Sequence, residues 1–264
     1  MLNTNSLVGT HDLALVVIDT LRHDVAVEEL AAGRTPNLAA LVGAWEERHS
    51  PGTFTYAAHA AFFAGFLPTP ARPGRHARRF ALRFDGSVTT AATTCLLDGA
   101  TIVEGLAARG YHTICVGGVG FFNMQNALGR ALPALFAEAH WSPALGVADP
   151  RSFEHQIDVV ERALAALPRE RRAFTFVNVA ALHQPNHFYL PDGPHRDTRA
   201  SHAAALRYVD AHVPRLVRAL RARGPLFVIV CSDHGTLYGE DGYVGHRVAH
   251  PIVTTVPYAE AVFA

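Results

Sequence analysis

Residues 13–18 (LALVVI) form a short unbroken apolar run that ends at Asp19. A run of that length without alternation, rich in β-branched side chains, predicts a strand covered on both faces. Strands are also predicted at 111–116 (YHTICV) and 174–179 (FTFVNV), and the unbroken apolar pattern recurs at 226–230 (LFVIV), which runs into CSDHG at 231–235. Between these runs the period changes to that of a helix. Thr35 and Pro36 stand where an N-cap and a first helical residue belong, and apolar residues follow at helical spacing to Val42. A second helix is predicted from Thr55 or Tyr56 to Ala64, with Gly65 as its stop. Further helices are predicted at 101–109 (closed by Gly110), 128–139, 152–167 and 200–223. In the last of these Leu206, Val209, Val213, Leu216, Val217 and Leu220 share a face, while Arg207, Arg215, Arg218 and Arg221 lie off it. Pro214 inside it should bend the helix near Asp210. The glycines at 117–120 follow a strand without phosphate-loop or dinucleotide spacing, so they predict a tight turn.

Alternation of strand and helix points to an α/β fold: a mostly parallel central sheet with helices on both faces. The chain of 264 residues, with 49% hydrophobic content, falls within the size of one such domain, so a single domain over 1–264 is expected. Lys plus Arg and Asp plus Glu are 23 each, which gives no overall field to attract nucleic acid or an anionic membrane. The Arg-rich stretch 71–83 reads as a solvated basic loop. No window is long and apolar enough for a membrane span, and the first ten residues lack signal-peptide character, so a cytoplasmic protein is expected. Cys95, Cys115 and Cys231 are too widely spaced for a paired-cysteine zinc site and are expected to be free thiols.

Ligand sites in open α/β sheets gather at the carboxyl ends of strands. Three predicted strands end in chemistry: at Asp19, at the stretch from Asn178 to His187, and at Asp233-His234. Two carboxylates and an imidazole are donors that a divalent cation such as Zn²⁺, Mn²⁺ or Ca²⁺ accepts. Read alone, Asp19 and Thr55 serve equally well as helix caps.

Taken in order, the strings VIDTLR at 17–22, TPNL at 35–38, TYAAHAAFFAG at 55–65, HQP at 183–185 and SDHG at 232–235 resemble the motifs of the alkaline phosphatase and sulfatase superfamily. That resemblance implies an alkaline phosphatase-like fold and a metal-dependent hydrolase or transferase acting on a small anionic ester. It implies Asp19, Thr55, Asp233 and His234 as metal ligands, Thr55 as nucleophile, and His183 as a proton donor or acceptor at the leaving oxygen. Thr20 stands where many sulfatases carry a second Asp. Thr55 stands where sulfatases carry the residue converted to formylglycine, an aldehyde that threonine cannot give, so a phosphate ester is favoured over a sulfate ester. A free threonine hydroxyl is a weak nucleophile that a cation and a helix N-terminus both assist. His59 stands where sulfatases have an Arg and is expected behind the metal ligands or against phosphate, with a buried, hydrogen-bonded histidine as the alternative. His183 with His187, or His246 in competition with His250, could complete a second metal site or touch substrate. Glu240, Asp241 and Tyr243 are expected to be turn residues, and Arg22 with Asp24 structural. A sulfate ester hydrolase without formylglycine and a catalytically idle metal-binding accessory protein are the alternative readings.

Overall fold

The computed structural model describes residues 3–65, 80–81, 95–96 and 100–264. The Arg-rich stretch 71–83 lies outside them except for the backbone of Phe80–Ala81, as does the side chain of Cys95. The strands are β1 (Asp12–Ile18), β2 (Glu46–His49), β3 (Phe80–Ala81), β4 (Cys95–Leu96), β5 (His112–Val116), β6 (Glu138–His140), β7 (Ala173–Val179), β8 (Leu226–Cys231), β9 (Leu237–Tyr238), β10 (Val244–Gly245) and β11 (Thr255–Phe263). The helices are α1 (His23–Ala31), α2 (Pro36–Val42), α3 (Thr55–Ala64), α4 (Ile102–Ala108), α5 (Ala127–Ala131), α6 (Ser152–Ala166), α7 (Arg199–Arg221) and α8 (Pro251–Thr254). No described helix is long and apolar enough to cross a membrane.

Seven strands form one sheet in the order β2-β11-β8-β1-β7-β5-β6. β8, β1, β7, β5 and β6 are mutually parallel, while β11 runs antiparallel to both β8 and β2. The expected mostly parallel sheet with helices on both faces is the observed one. β1 lies between β7 and β8, with Ile18 beside Val179 and Val17 beside Cys231, so the carboxyl ends of these three strands open on one crevice. The apolar runs are unbroken because each strand feeds two cores. Ala14, Val16 and Ile18 of β1 enter a cluster with α6 and α7 side chains such as Phe153 and Leu206. Leu13 and Val17 enter a second cluster with Phe63, Phe122 and Phe176 on the opposite face. Complete burial of each such Val, Leu, Ile or Phe side chain contributes about 1.5–3 kcal/mol.

Charged side chains off the apolar faces join the helices to one another. Glu29 of α1, only 2% exposed, accepts from Arg34 Nε at 2.9 Å and Arg207 Nε at 2.7 Å. Arg215 of α7 reaches Glu161 and Asp158 of α6. Leu38 N–H and Asn37 Nδ2 in the first turn of α2 donate to the Asp210 carboxylate at 2.7 and 3.0 Å. The expected Thr35 cap is therefore corrected: Thr35 occupies the N-cap position, but its side chain makes no capping bond.

Other expectations are also revised. The helix predicted at 128–139 is only α5, followed by a 3-10 turn at Pro133–Leu135 and then β6; Pro133 lacks the N–H that a continuing helix needs. The polar segment Glu46–His49, which carries no apolar signal, is the fully exposed edge strand β2. Glu240 does sit in a turn, but it also takes part in an ion pair, because Arg22 Nη1 donates to it at 2.5 Å while Nε and Nη2 grip Asp24 at 2.9 and 2.8 Å. The structural role expected for Arg22 and Asp24 follows from these contacts. Cys115 and Cys231 are buried free thiols.

Candidate active site

Asp19 leaves the carboxyl end of β1 with its N–H donating to Val179 O at 3.1 Å. Its Oδ2 accepts from Asn178 Nδ2 at 3.0 Å, and its Oδ1 has no hydrogen-bond partner. Asp233, one residue beyond Ser232 at the end of β8, accepts at Oδ1 from the Thr20 and His234 N–H groups at 3.1 and 3.0 Å. Its Oδ2 is likewise without a partner. His234 Nδ1 lies 2.9 Å from Gly235 O and donates to it, which leaves Nε2 as the acceptor facing the carboxylates. Ligand atoms of Asp19, Asp233 and His234 all lie within 4.8 Å of one another.

Thr55 enters this cluster from the start of α3. The N-cap of that helix is Phe54, and no side chain caps it. The Thr55 hydroxyl is thus free to point inward, where Oγ1 lies 3.4 Å from both Asp19 Oδ2 and His234 Nε2. Asp19, Asp233 and His234 are 0% exposed and Thr55 is 1% exposed. Burial, reinforced by the charge of Asp233, raises the Asp19 carboxyl to about 6. Burial raises Asp233 to about 7 despite the N–H groups that favour its ionised form. Two buried carboxylates with orphaned oxygens, aimed at a neutral imidazole nitrogen and a hydroxyl, suit a divalent cation with oxygen and nitrogen donors. Among the described residues this is the cluster that could hold one.

The histidines separate into distinct environments. His59 is fully buried, with its ring edge-on to Phe62, Phe122 and Phe176. Its Nδ1 lies 2.8 Å from Thr55 O and 3.7 Å from Asp233 Oδ2, and burial lowers its pKa to about 3. It therefore backs Asp233 as a neutral ring; the expectation that it touches phosphate is corrected. His183 and His246 both line a cavity of about 370 Å³ whose floor includes the buried Thr55. The His246 ring lies 4.5 Å from that of His234 and 5.7 Å from that of His183, centroid to centroid. Burial, with the neighbouring His234 and His183, lowers the His246 pKa to about 3. His250 is engaged elsewhere, capping α8 and pairing with Asp241 at 3.1 Å, whereas His246 is the one of the two that lies on this cavity. The proposed pairing of His183 with His187 is corrected as well. The chain between them is not helical, so their spacing does not put them on one face, and His187 Nδ1 instead faces Asp197 Oδ1 at 3.3 Å.

Four features of the site escaped the sequence reading. Asn178 bridges the halves of the site: it donates to Asp19 and accepts from Val119 N–H at 3.0 Å. Gly118 belongs to a close approach and not to a tight turn, since a Cβ there would lie 2.3 Å from Asn178 O. Ser50 Oγ donates to the Asp233 carbonyl, tying the loop before α3 to the end of β8. Arg247 lines the cavity beside His246. Only the strand-end position of Asn178 and the glycine run carried a signal that could have found any of these.

A family model for type I phosphodiesterase / nucleotide pyrophosphatase matches residues 13–248. No curated protein sequence matches the chain. Among solved structures, the C-terminal periplasmic domain of phosphoethanolamine transferase EptC from Campylobacter jejuni is similar with a TM-score of 0.62 at 14% identity, covering 95% of this chain and 78% of that one. The lipoteichoic acid synthase LtaP from Listeria monocytogenes is similar with a TM-score of 0.62 at 12% identity, covering 98% of this chain and 68% of that one. A putative sulfatase from Bacteroides thetaiotaomicron is similar with a TM-score of 0.65 at 14% identity, covering 95% of this chain and 64% of that one. At such identities these structures show a shared fold.

Proposed function

The chain belongs to the type I phosphodiesterase / nucleotide pyrophosphatase family, within the alkaline phosphatase and sulfatase-like superfamily, and from that premise we propose that it is a divalent-metal-dependent enzyme that moves a phosphoryl group from a small anionic ester through Thr55. The observation that carries this reading is the position of the Thr55 hydroxyl, 3.4 Å from both Asp19 Oδ2 and His234 Nε2 in a fully buried cluster. Asp19, Asp233, His234 and Thr55 would hold the cation. When bound, it would favour the alkoxide form of Thr55 and offset negative charge on the phosphoryl oxygens.

The protein's own groups supply the remaining steps. Thr55 is the first residue of a ten-residue helix, whose positive dipole end favours an anionic phosphoryl group. Its Oγ attacks phosphorus; the Oγ–P bond forms as the ester P–O bond breaks. The Thr55 proton leaves through the cavity to solvent, and His183, on the cavity wall, returns a proton to the departing oxygen. The phosphothreonine is then opened by water or by an acceptor alcohol. Asn178 keeps Asp19 in position, and the neutral His59 packs behind Asp233 without competing for its charge.

The test is a panel of aryl phosphate monoester, phosphodiester, phosphonate and sulfate esters, run on wild type and Thr55→Ala with elemental analysis of both. The expected result is phosphorus-ester turnover, lost in Thr55→Ala, with bound metal retained. Turnover of the sulfate ester alone, or an unimpaired Thr55→Ala variant, would refute the proposal.

A further inference from the structure

His183 and His246 reach the cavity from two different loops, with ring centroids 5.7 Å apart, and among the described residues no hydrogen bond joins the two rings. What sets their separation lies behind them. The His183 loop is anchored by Asn186, whose side chain is fully buried. Its Nδ2 donates at 2.9 Å to the carbonyl of Leu182, the residue before His183, and its Oδ1 accepts from Ser201 Oγ of α7 at 2.6 Å. The Asn186 N–H donates to Asp197 Oδ1 at 2.7 Å. His183 Nδ1 lies 2.6 Å from Gln184 O and donates to it, which leaves Nε2 as the nitrogen that can exchange a proton. The ring is thus oriented by the same short segment that Asn186 holds.

Tyr238 ties this loop to the other one. It belongs to β9, which pairs with β10 so that Val244 lies beside Tyr238 and Gly245 beside Leu237, and His246 follows directly. The Tyr238 hydroxyl accepts from Asn186 Nδ2 at 2.9 Å and lies 3.0 Å from Nδ1 of the fully buried His202. Among the described residues, the bond to Asn186 is the hydrogen bond that crosses between the two loops. The hairpin is held independently at its other contacts: the Tyr238 N–H and Arg22 Nη1 both donate to Glu240, and the Arg247 N–H donates to Thr53 O at 2.7 Å. Buried polar partners that lose one member of such a network must shift to find another. Resting on the proton-donor role proposed above for His183, we infer that Tyr238 is a positioning residue: its hydroxyl sets the separation of His183 and His246 and so places His183 Nε2 to pass its proton to the departing oxygen as the ester P–O bond breaks.

Tyr238→Phe removes the hydroxyl and keeps the ring. Two diesters separate loss of the proton donor from general damage: methyl p-nitrophenyl phosphate, whose nitrophenolate departs without a proton, and methyl phenyl phosphate, whose leaving phenol has a pKa of about 10, like tyrosine, and needs one. Both would be assayed on Mn²⁺-supplemented wild type, His183→Ala and Tyr238→Phe, with circular dichroism as the check on folding. His183→Ala should lower kcat on the phenyl ester about a hundredfold, the lower end of what a positioned acid contributes. Tyr238→Phe should lower it about tenfold, with KM and the nitrophenyl ester changed no more than about twofold, because the acid is present but misaligned. In a crystal structure of Tyr238→Phe the His183 and His246 rings should lie farther apart by about 1 Å, a displacement large enough to matter for the reaction. Rings left in place would overturn the inference. So would a Tyr238→Phe variant that loses both esters alike, or neither, when His183→Ala is selective. If His183→Ala is itself unselective, or wild type turns over neither ester, it is the proton-donor reading that falls, and the ring separation alone decides the inference.

Discussion

Asp233→Asn should make the metal-free protein more stable while removing its response to a cation. The Asp233 carboxyl, ordinarily near 3.8, is raised to about 7 by complete burial. A displacement of that size corresponds to about 4 kcal/mol between the protonated and ionised forms. The folded chain holds this proton more tightly than the unfolded chain does. The stabilising contribution is therefore full below about 3.8 and is lost as pH rises through about 7. At pH 8 an ionised Asp233 thus opposes folding, and its charge also raises Asp19. An asparagine keeps the acceptor at Oδ1 for the Thr20 and His234 N–H groups, and turns an NH₂ toward His234 Nε2, which lies 3.4 Å from the present Oδ2.

Water entry and local relaxation should consume part of the gain, so an increase of roughly 2 kcal/mol is expected, or roughly 4–8 °C in melting temperature for a chain of this size. Thermal melts in EDTA at pH 5 and pH 8 measure it, and the advantage of the variant should be smaller at pH 5. Adding Mn²⁺ or Zn²⁺ at about a hundred times its Kd should stabilise wild type by about 2.7 kcal/mol and leave the variant almost unchanged. A variant that melts below wild type in EDTA at pH 8, or that retains the full cation response, would refute the assignment of Asp233 as an uncompensated ligand.

Thr55→Ala should lower phosphoryl transfer by at least about a thousandfold with a reduced but still measurable cation-dependent rise in melting temperature, since Asp19, Asp233 and His234 remain, and Thr55→Ser should restore measurable turnover; equal rates for the alanine variant and wild type would remove Thr55 from the chemistry. Glu29→Gln should destabilise by roughly 2 kcal/mol, since it leaves two guanidinium groups facing a neutral amide. Burial alone would raise the Glu29 carboxyl, yet Arg34 and Arg207 hold it at about 2, so its contribution is present above about 4.5 and is lost as pH falls through about 2; urea melts of wild type and variant should converge over that range. Gly118→Ala should cost roughly 2–3 kcal/mol and should also depress turnover, because the added Cβ would meet Asn178 O at 2.3 Å and Gln156 Nε2 at 2.9 Å; urea unfolding together with the ester panel checks both, and an alanine variant of native stability would show that the approach is looser than this.

The parts of the fold that were legible are those whose burial is set by a single element. β1, β7 and β8 announce themselves because helices cover both of their faces, which requires a continuous apolar run. β2 gave no such signal: an exposed edge strand reading EERH has the composition of a loop, and its charges discourage pairing with other chains. What is set by two distant segments was not legible. Asn178 takes its meaning from Val119 and Asp19 together, and Thr35 lost its cap because Asp210, far along the chain, supplies the acceptor in its place.

The same distinction explains why the site could be located before its chemistry could be assigned. That acids and histidines stand at strand ends follows from where each apolar run stops, and the parallel order β7-β1-β8 then brings those ends together. Whether the Thr55 hydroxyl caps its own helix or faces a carboxylate depends on one residue of register. With Phe54 as N-cap, Thr55 is already inside the first turn, so its Oγ1 is directed to Asp19 and His234 instead of to a backbone amide of α3. A shift of one position toward the N-terminus would return that oxygen to ordinary capping. Ser50 opposes such a shift, because it anchors the loop before α3 to the Asp233 carbonyl. The proposed nucleophile thus owes its position as much to the packing that fixes the register of α3 as to the threonine itself.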